Sequence, residues 1–454
     1  MSGLGDESTP LDGVARVEID SWAAGGRGVG RVSGLAWLIE GAVPGDIVRA
    51  RAVKRRPRFV EAVVTSIDHP SASRRRPPCP IQGACGGCPL MVVDESAQRA
   101  AKKRFVVDAL QRIGRFPGIP VDDVVAAGPA LGYRNKIELT LGWAGSRPVL
   151  GYHRAGRPDE LVDVTACTIG DPRLAPLLAV ARDFFLSDGR TTAAAGDRHE
   201  TARLVLRASH ARDQRLVAFR GAAGRADELV EFARVAAAAD PGLVGVVRII
   251  AAAGRRGGAG VEAIAGRPEI DEEVLGTTFH VPAATFLQVH PDASRRLAES
   301  LIEAAGRPAR VLELYGGIGA VSLALARGGA AATVVDADAA AITCGAQAAR
   351  EAGVPSAQFA RADVSAFLTR SRGAARPDLV IADPPRTGLG KGVALQVAQL
   401  RAPRIALVSC DPATLARDLA VLAGAGYAVE RVTPFDLFPQ TAHVEALAWL
   451  RLSR

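Results

Sequence analysis

The sequence predicts a multidomain protein: a small N-terminal all-β barrel, a central α+β region with a cysteine run, and a C-terminal doubly wound α/β domain. Three observations carry this. Over 14–67, short alternating segments are cut every few residues by glycine and proline turns, the pattern of a small barrel. Half of the six cysteines fall between Cys79 and Cys88. From Ala309 onward, short apolar runs alternate with loops and helical stretches, the rhythm of an open parallel sheet. The expected divisions are 8–68, 69–120, 121–275 and 276–454, a length that builds several cores.

Composition narrows the class. A hydrophobic fraction of 48% and a charged fraction of 23% are those of a soluble globular chain. Charges interrupt every candidate for a spanning helix, and 1–12 is small and polar without the apolar stretch of a secretory signal. The expected place is therefore the reducing cytoplasm, where grouped cysteines serve metals or catalysis rather than disulfides. Net charge is +8 and the pI about 9.5. Lysine occurs only as Lys54, Lys102, Lys103, Lys136 and Lys391, so the positive charge is mostly arginine. Two basic clusters, Lys54-Arg55-Arg56-Pro57-Arg58 and Arg74-Arg75-Arg76, are solvated faces or phosphate contacts.

Within the barrel region, 14–19, 47–53 and 59–67 alternate, 35–39 is apolar, and 25–30 and 43–46 read as turns. Cys79, Cys85 and Cys88 follow in a C-x5-C-x2-C run with glycines that let the backbone wrap closely round a ligand. Three thiolates need a fourth ligand for a tetrahedral metal or a four-iron cluster. Cys167 is the candidate, since Cys344 and Cys410 lie in the C-terminal domain. Zinc is the generic occupant of such a cluster. A helix over 95–113 carries Phe105, Val106, Ala109, Leu110 and Ile113 at helical spacing, with Lys102, Lys103 and Arg104 on its polar face or at a phosphate. In the middle region, strands are expected over 132–141, 149–153, 203–209, 215–219, 245–251 and 261–265, and helices over 174–185 and 226–238.

In the C-terminal region, Glu313-Leu-Tyr315-Gly316-Gly317-Ile-Gly319 ends a strand and opens a helix near Val321, and a second strand ends at Asp336. This is a βαβ unit with a glycine loop and an acid placed for a ribose diol. Ser322 replaces the third glycine of the dinucleotide fingerprint and Glu313 precedes the loop. Both favour S-adenosylmethionine, which has no pyrophosphate to cradle. Asp363 follows a third strand, suited to an adenine edge. A fourth strand ends in Asp383-Pro384-Pro385-Arg386-Thr387-Gly388, whose prolines forbid helix or ladder and fix Asp383 at the mouth. A fifth ends at Ser409-Cys410, with Asp411 as N-cap, Pro412 at the first helical position and Leu415 and Leu419 on one face. Cys410 thus lies between a strand end and a helix N-terminus, where backbone N–H groups favour the thiolate. Read alone, it is a packed thiol or a nucleophile. A late strand over 431–438 leads through a loop to Glu445 and a last strand over 446–450.

Several of these stretches carry a resemblance. Gly28-Val-Gly-Arg31 before an apolar strand, followed by Val43-Pro-Gly-Asp46, is similar to the TRAM domain, an OB-like RNA-binding barrel. Tyr133-Arg-Asn-Lys136, Asp383-Pro-Pro-Arg-x-Gly388, the 409–419 run and Phe438-Pro-Gln-Thr-x-His-Val-Glu445 resemble, in this order, the class I RNA uridine-C5 methyltransferases. The likeness spans nearly the whole chain, and the cysteine spacing resembles the [4Fe-4S] branch of that family.

It implies a Rossmann-like methyltransferase domain at the C-terminus, RNA as partner, and 23S rRNA ahead of tRNA by analogy. S-adenosylmethionine would be bound by Gln288, Tyr315, Asp336 and Asp383, with Asp363 beside them. Cys410 would attack uridine C6 and Glu445 would remove the C5 proton. Cys79, Cys85, Cys88 and Cys167 would hold a [4Fe-4S] cluster in a structural or RNA-contact role. Arg134 and Lys136 are RNA-contact candidates, and Phe59, Tyr133 and Trp143 are candidate stacking platforms. A monomer is expected. The chain departs from the family pattern at His290, Gly316, Ala320 and Ala348. A 5-methylcytidine enzyme would place a second cysteine where Pro385 stands, a non-catalytic RNA scaffold would not keep both Cys410 and Glu445, and a nicotinamide oxidoreductase is more distant still.

Overall fold

A computed structural model describes residues 13–187, 202–221, 226–250, 260–371 and 375–453. The leader reading at 1–12, the barrel's expected start at 8–12, the end of one strand at 251 and residue 454 lie outside them.

Strands β1 (Val14–Ala23), β2 (Arg27–Val32), β3 (Leu35–Glu40), β4 (Ile47–Arg55) and β5 (Phe59–His69) close a barrel in the order β1-β2-β3-β5-β4. Alternation sends Val17, Ile19, Trp37, Ile39, Val48 and Val60 inward. The turn expected over 25–30 is confined to its first half, because β2 already begins at Arg27. Gly30 is in the ladder for a steric reason: a Cβ there would stand 2.3 Å from the Glu18 carbonyl oxygen. Arg74, read as part of a solvated face or a phosphate contact, is instead claimed by the protein. Its Nη2 lies 2.6 Å from the fully buried Asp46 carboxylate, which also accepts the Val43 N–H.

Helix α1 (Glu95–Arg112) is capped by Asp94, whose carboxylate accepts the Ala97 N–H at 2.8 Å. Its polar face was expected to carry Lys102 into solvent. The structure buries Lys102 completely, with Nζ donating to Asp436 Oδ1 at 2.6 Å and to the Phe438 carbonyl at 2.9 Å. Both partners come from the far end of the chain, which helical spacing cannot reveal.

The central sheet contains β6 (Lys136–Ala144), β7 (Arg147–Arg154), β8 (Arg157–Asp163), β9 (Ala202–Ala208), β10 (Arg215–Arg220), β11 (Leu243–Ile250) and β12 (Gly260–Gly266), in the order β12-β11-β10-β9-β6-β7-β8. Helices α2 (Ala175–Leu186) and α3 (Ala226–Ala239) cover it through Phe184, Phe185, Phe219 and Phe232. β8 was not expected; it is an edge strand whose first residues are exposed, so it shows no apolar alternation.

A hairpin, β13 (Glu269–Val274) with β14 (Thr277–Pro282), follows, and the boundary expected at 275/276 falls in its turn. The C-terminal part runs α4 (Pro291–Ala305), β15 (Arg310–Leu314), α5 (Ala320–Arg327), β16 (Ala331–Asp336), α6 (Ala339–Glu351), β17 (Ala357–Arg361), α7 (Val364–Arg370), β18 (Leu379–Ala382), α8 (Gly390–Gln399), β19 (Arg404–Ser409), α9 (Pro412–Gly424), β20 (Tyr427–Phe435) and β21 (Glu445–Leu452). The strand order is β17-β16-β15-β18-β19-β21-β20, with β21 antiparallel to both neighbours. The order reverses between β15 and β18, the switch point where open α/β sheets take ligands. The late strand expected over 431–438 begins earlier and stops at Phe435, leaving 436–444 as a loop. Among the described residues, no helix is long and apolar enough to cross a membrane.

Candidate active site

At the switch point, β15 delivers Tyr315 with φ +58°, a conformation that non-glycine residues adopt rarely and that marks functional loops. The glycines after it are needed for packing: a Cβ on Gly316 would stand 2.7 Å from Val334 Cγ1, and one on Gly319 2.7 Å from Phe359 Cε1. Glu313 is buried beneath this loop and accepts the Ser322 N–H at 3.1 Å. Burial, reinforced by Asp383 and Asp336, pushes its carboxyl up to about 7. The residue in the third glycine's place is thus used through its backbone.

Asp336 ends β16 with both carboxylate oxygens engaged, one by the Gly317 N–H at 2.9 Å and the other by the Asp338 N–H at 2.8 Å. The strand end and the glycine loop are thereby locked together. Asp363 is exposed and caps α7 through the Ala366 N–H. Tyr315, Asp336 and Asp363 are brought to one place: burial and then the charges of Asp363, Asp418 and Asp336 raise the Tyr315 phenol. Gln288 is half-buried between β14 and α4, and no hydrogen bond joins its side chain to another described residue.

His290, where the family pattern has Asn, is 1% exposed and stacks on Tyr133 with centroids 4.5 Å apart and planes 19° apart. Burial holds its pKa below the ordinary value, which favours the neutral ring. Tyr133 is therefore not a platform for a base. It is buried, and its hydroxyl donates to the Pro439 carbonyl at 3.1 Å. Phe59 and Trp143 are half-buried.

Across the switch point, strand register assembles the second half of the site. Ala382 pairs with Leu407, and Ser409 pairs with Ala446 in the antiparallel ladder. Cys410 and Glu445 are the next residues beyond this last pair, and the Glu445 charge acts on the Cys410 thiol. The Asp383 N–H donates to the Leu314 carbonyl at 3.3 Å, tying the Asp-Pro-Pro loop to the strand that carries Tyr315. The loop's far end is held by α9: buried Asp418 accepts the Leu389 N–H at 2.6 Å, and Arg417 donates to the Thr387 carbonyl. Gly388, at φ +71°, has no room for a side chain, since a Cβ would stand 2.3 Å from Asp418 Oδ2.

The electrostatics correct one expectation. Cys410 is half-buried, and burial, then Glu445 and Asp383, push its thiol up, with only Arg386 and a local backbone bond opposing. The helix N-terminus does not reverse this, because Asp411 already takes the Thr414 N–H at 2.8 Å. Glu445 is 2% exposed, its Oε1 has no hydrogen-bond partner among the described residues, and burial followed by Asp383 raises it far above the carboxylate range. Desolvation pushes Asp383 up to about 6. Asp383 nevertheless keeps exposed surface, so its upward direction is that of a group recessed in an open cleft rather than sealed in a core. The charge of Asp383 thus adds to burial in raising the Glu445 carboxyl.

Arg386 was read only as part of a motif, without a role of its own. It is the cation that faces Cys410 and Glu445, and its Nη2 lies 3.1 Å from His443 Nε2. His443 is recessed although its ring is partly exposed; desolvation, then Arg386, hold it down to about 4. The signal in the sequence was an arginine three residues past a strand-end acid.

Cys79, Cys85, Cys88 and Cys167 are all half-buried, and three of them pack round Met91, Tyr133 and Ile169. Burial, then the charges of Cys167, Cys85 and Cys79, push the Cys88 thiol up to about 12, which puts the four within electrostatic reach. Among the described residues, no group of three or more His, Cys, Asp or Glu side chains is arranged to hold a metal ion. The four thiols line a cavity of about 1480 Å³ shared with Arg27, Arg51 and Arg134. Its lining includes none of Tyr315, Asp336, Asp383, Cys410 and Glu445.

A glycine loop over a buried glutamate, an acid at the end of the second strand and a proline-fixed acid across the switch point define an S-adenosylmethionine-dependent methyltransferase domain. The family described as tRNA (Uracil-5-)-methyltransferase matches residues 273–453. An uncharacterized RNA methyltransferase of Thermosynechococcus vestitus is 34% identical over 446 residues, covering 96% of this chain and 98% of the relative. The 23S rRNA (uracil(1939)-C(5))-methyltransferase RlmD of Pseudomonas aeruginosa is 32% identical over 462 residues, covering 98% and 96%. The crystal structure of Pyrococcus abyssi tRNA (uracil-54, C5)-methyltransferase with S-adenosyl-L-homocysteine superposes with a TM-score of 0.74 at 21% identity, over 96% of this chain and 100% of that one, and shows the shared fold. The chain belongs to the S-adenosylmethionine-dependent uracil-C5 RNA methyltransferases, and it is an enzyme of that activity.

Proposed function

We propose that this enzyme forms 5-methyluridine in 23S rRNA, with Cys410 as nucleophile and Glu445 as base. The observation that carries the chemistry is the antiparallel register of β19 and β21, in which Cys410 and Glu445 follow the last paired residues. Full-length likeness to a 23S rRNA enzyme supports rRNA over tRNA.

The target uridine is unstacked and turned into the cleft, which costs a few kcal/mol. Cys410 gives its proton to solvent, and its sulfur bonds to C6, moving the ring electrons onto C5 as an enolate. S-adenosylmethionine, when bound, supplies the methyl group that C5 takes. Glu445 then accepts the C5 proton, the C5–C6 double bond re-forms, and the Cys410–C6 bond breaks with its electrons returning to sulfur. Arg386 opposes the charge of Glu445 and favours the thiolate. The charge of Asp383 raises the Glu445 carboxyl, which makes its ionised form a stronger base. Gln288, Tyr315, Asp336 and Asp383, with Asp363 beside them, hold the donor.

Cys79, Cys85, Cys88 and Cys167 would hold a [4Fe-4S] cluster, which supplies positive charge to thiols that otherwise repel. Among the described residues these thiols are not arranged as a metal site, and the cluster is proposed on the C-x5-C-x2-C spacing with a distant fourth cysteine. A resident cluster and reduced thiols fit a cytoplasmic monomer whose barrel and central sheet contact RNA. The divisions 8–68, 69–120, 121–275 and 276–454 are the domain organisation we propose with it.

The test is mass spectrometry of rRNA and tRNA from cells lacking this protein. Loss of one 5-methyluridine from 23S rRNA is expected. Loss confined to tRNA would replace the rRNA reading.

A further inference from the structure

Glu445 is reached through the loop 436–444, and that loop is held from outside its own sheet. Gln440 is its centre: 0% exposed, with a left-handed backbone at φ +70°. Its Nε2 donates to the Ala130 carbonyl at 3.2 Å, and its Oε1 accepts from Arg75 Nη2 at 2.7 Å and Gln98 Nε2 at 2.9 Å. Its backbone N–H donates to Gln98 Oε1 at 2.9 Å, and its carbonyl accepts the Leu90 N–H at 3.0 Å. The adjoining carbonyls of Pro439 and Phe438 accept from Tyr133 and Lys102. Every one of these partners lies between Arg75 and Tyr133 in sequence. The Glu445 backbone begins β21 and pairs with Phe435, while its buried Oε1 has no hydrogen-bond partner among the described residues. Its approach to the cleft is therefore set by the ladder on one side and by the loop on the other. A left-handed non-glycine residue is strained and persists where its surroundings over-determine it.

We propose that Gln440 is a positioning residue that sets Glu445 for removal of the C5 proton. This rests on the nucleophile and base assigned above. It assigns Gln440 to one step only. Addition of Cys410 to C6 and methyl gain at C5 do not use Glu445 as base. A displaced Glu445 leaves the C5–H bond intact, so the Cys410–C6 bond cannot break and the methylated RNA stays attached. Displacement of a reacting group by about 1 Å costs up to ~10²-fold.

The experiment uses the full chain with uridine RNA and S-adenosylmethionine, and measures methyl transferred in a single turnover, covalent enzyme–RNA adduct, and 5-methyluridine RNA released. Gln440→Ala is compared with wild type and Glu445→Gln. Arg75→Ala, at the rim of the same network, guards against a folding defect in the first variant. Both Gln440→Ala and Arg75→Ala are expected to keep single-turnover methyl transfer, slow release by about tenfold or more and accumulate methylated adduct, as Glu445→Gln does more strongly. A parallel fall of addition and release, or wild-type release in both variants, overturns the positioning role. Absence of any Cys410 adduct in wild type and in Glu445→Gln overturns the nucleophile and base assignment itself, and the positioning role with it.

Discussion

Cys410 and Cys88 are both half-buried, and burial is the first cause raising each thiol. Their company differs. Cys88 faces three further thiols, with only Arg134 in opposition. Cys410 faces two carboxylates and the guanidinium of Arg386. A thiol among thiols has no proton acceptor that does not repel it in turn, so it ionises when a cation joins the group. A thiol between carboxylates and a guanidinium has its ionisation set by charges the chain itself supplies. Exposure alone does not tell the two apart; the chemistry of the neighbours does.

The largest test of this contrast is Cys410→Ala, expected to reduce 5-methyluridine formation to background while donor binding, followed by calorimetry, is unchanged. Turnover above background would return Cys410 to a packing role. Next, Cys88→Ser should remove metal from anaerobically purified protein, in which about four irons per chain are expected. Labelling of Cys410 by an alkylating reagent should be unchanged in that variant. Stoichiometric zinc in the wild type would replace the cluster with a single ion. The smallest effect is in Arg386→Ala. The thiolate of Cys410 grows as pH rises through the thiol's raised pKa, so adduct formation has a rising limb. Arg386 lowers that pKa, and its removal should carry the limb to higher pH by up to about one unit. Arg386→Lys should keep it in place, and an unmoved limb in Arg386→Ala would separate Arg386 from the thiol.

The legible parts of the molecule were those fixed by local pattern. The 95–113 helix and its cap, the strand-turn-helix at Asp411-Pro412 and the carboxylates at the ends of β16 and β18 all follow from spacing and capping. What spacing could not show is which distant group a polar side chain meets. Arg74 reads as surface charge because its partner Asp46 sits in a turn 28 residues away. Tyr133 reads as an RNA-stacking ring because its partners, His290 and Pro439, belong to other elements. Cys410 reads as a thiolate from its helix, and what reverses this is burial and then a carboxylate that arrives on β21, beyond the intervening helix and strand. Gln440 was visible only as a letter in a motif, because its partners come from other segments of the chain.

Lys102 and Asp436 form a buried ion pair across 334 residues of sequence. Such a pair adds little net stability while whole, yet losing one partner strands the other charge at a cost of about 3–5 kcal/mol. Neither position can drift alone: a lineage that loses the lysine must also lose the aspartate, or exchange both for apolar side chains. The helix behind the cysteine run and the loop before the last strand are therefore bound to a common substitution history, and among relatives these two columns should vary as one.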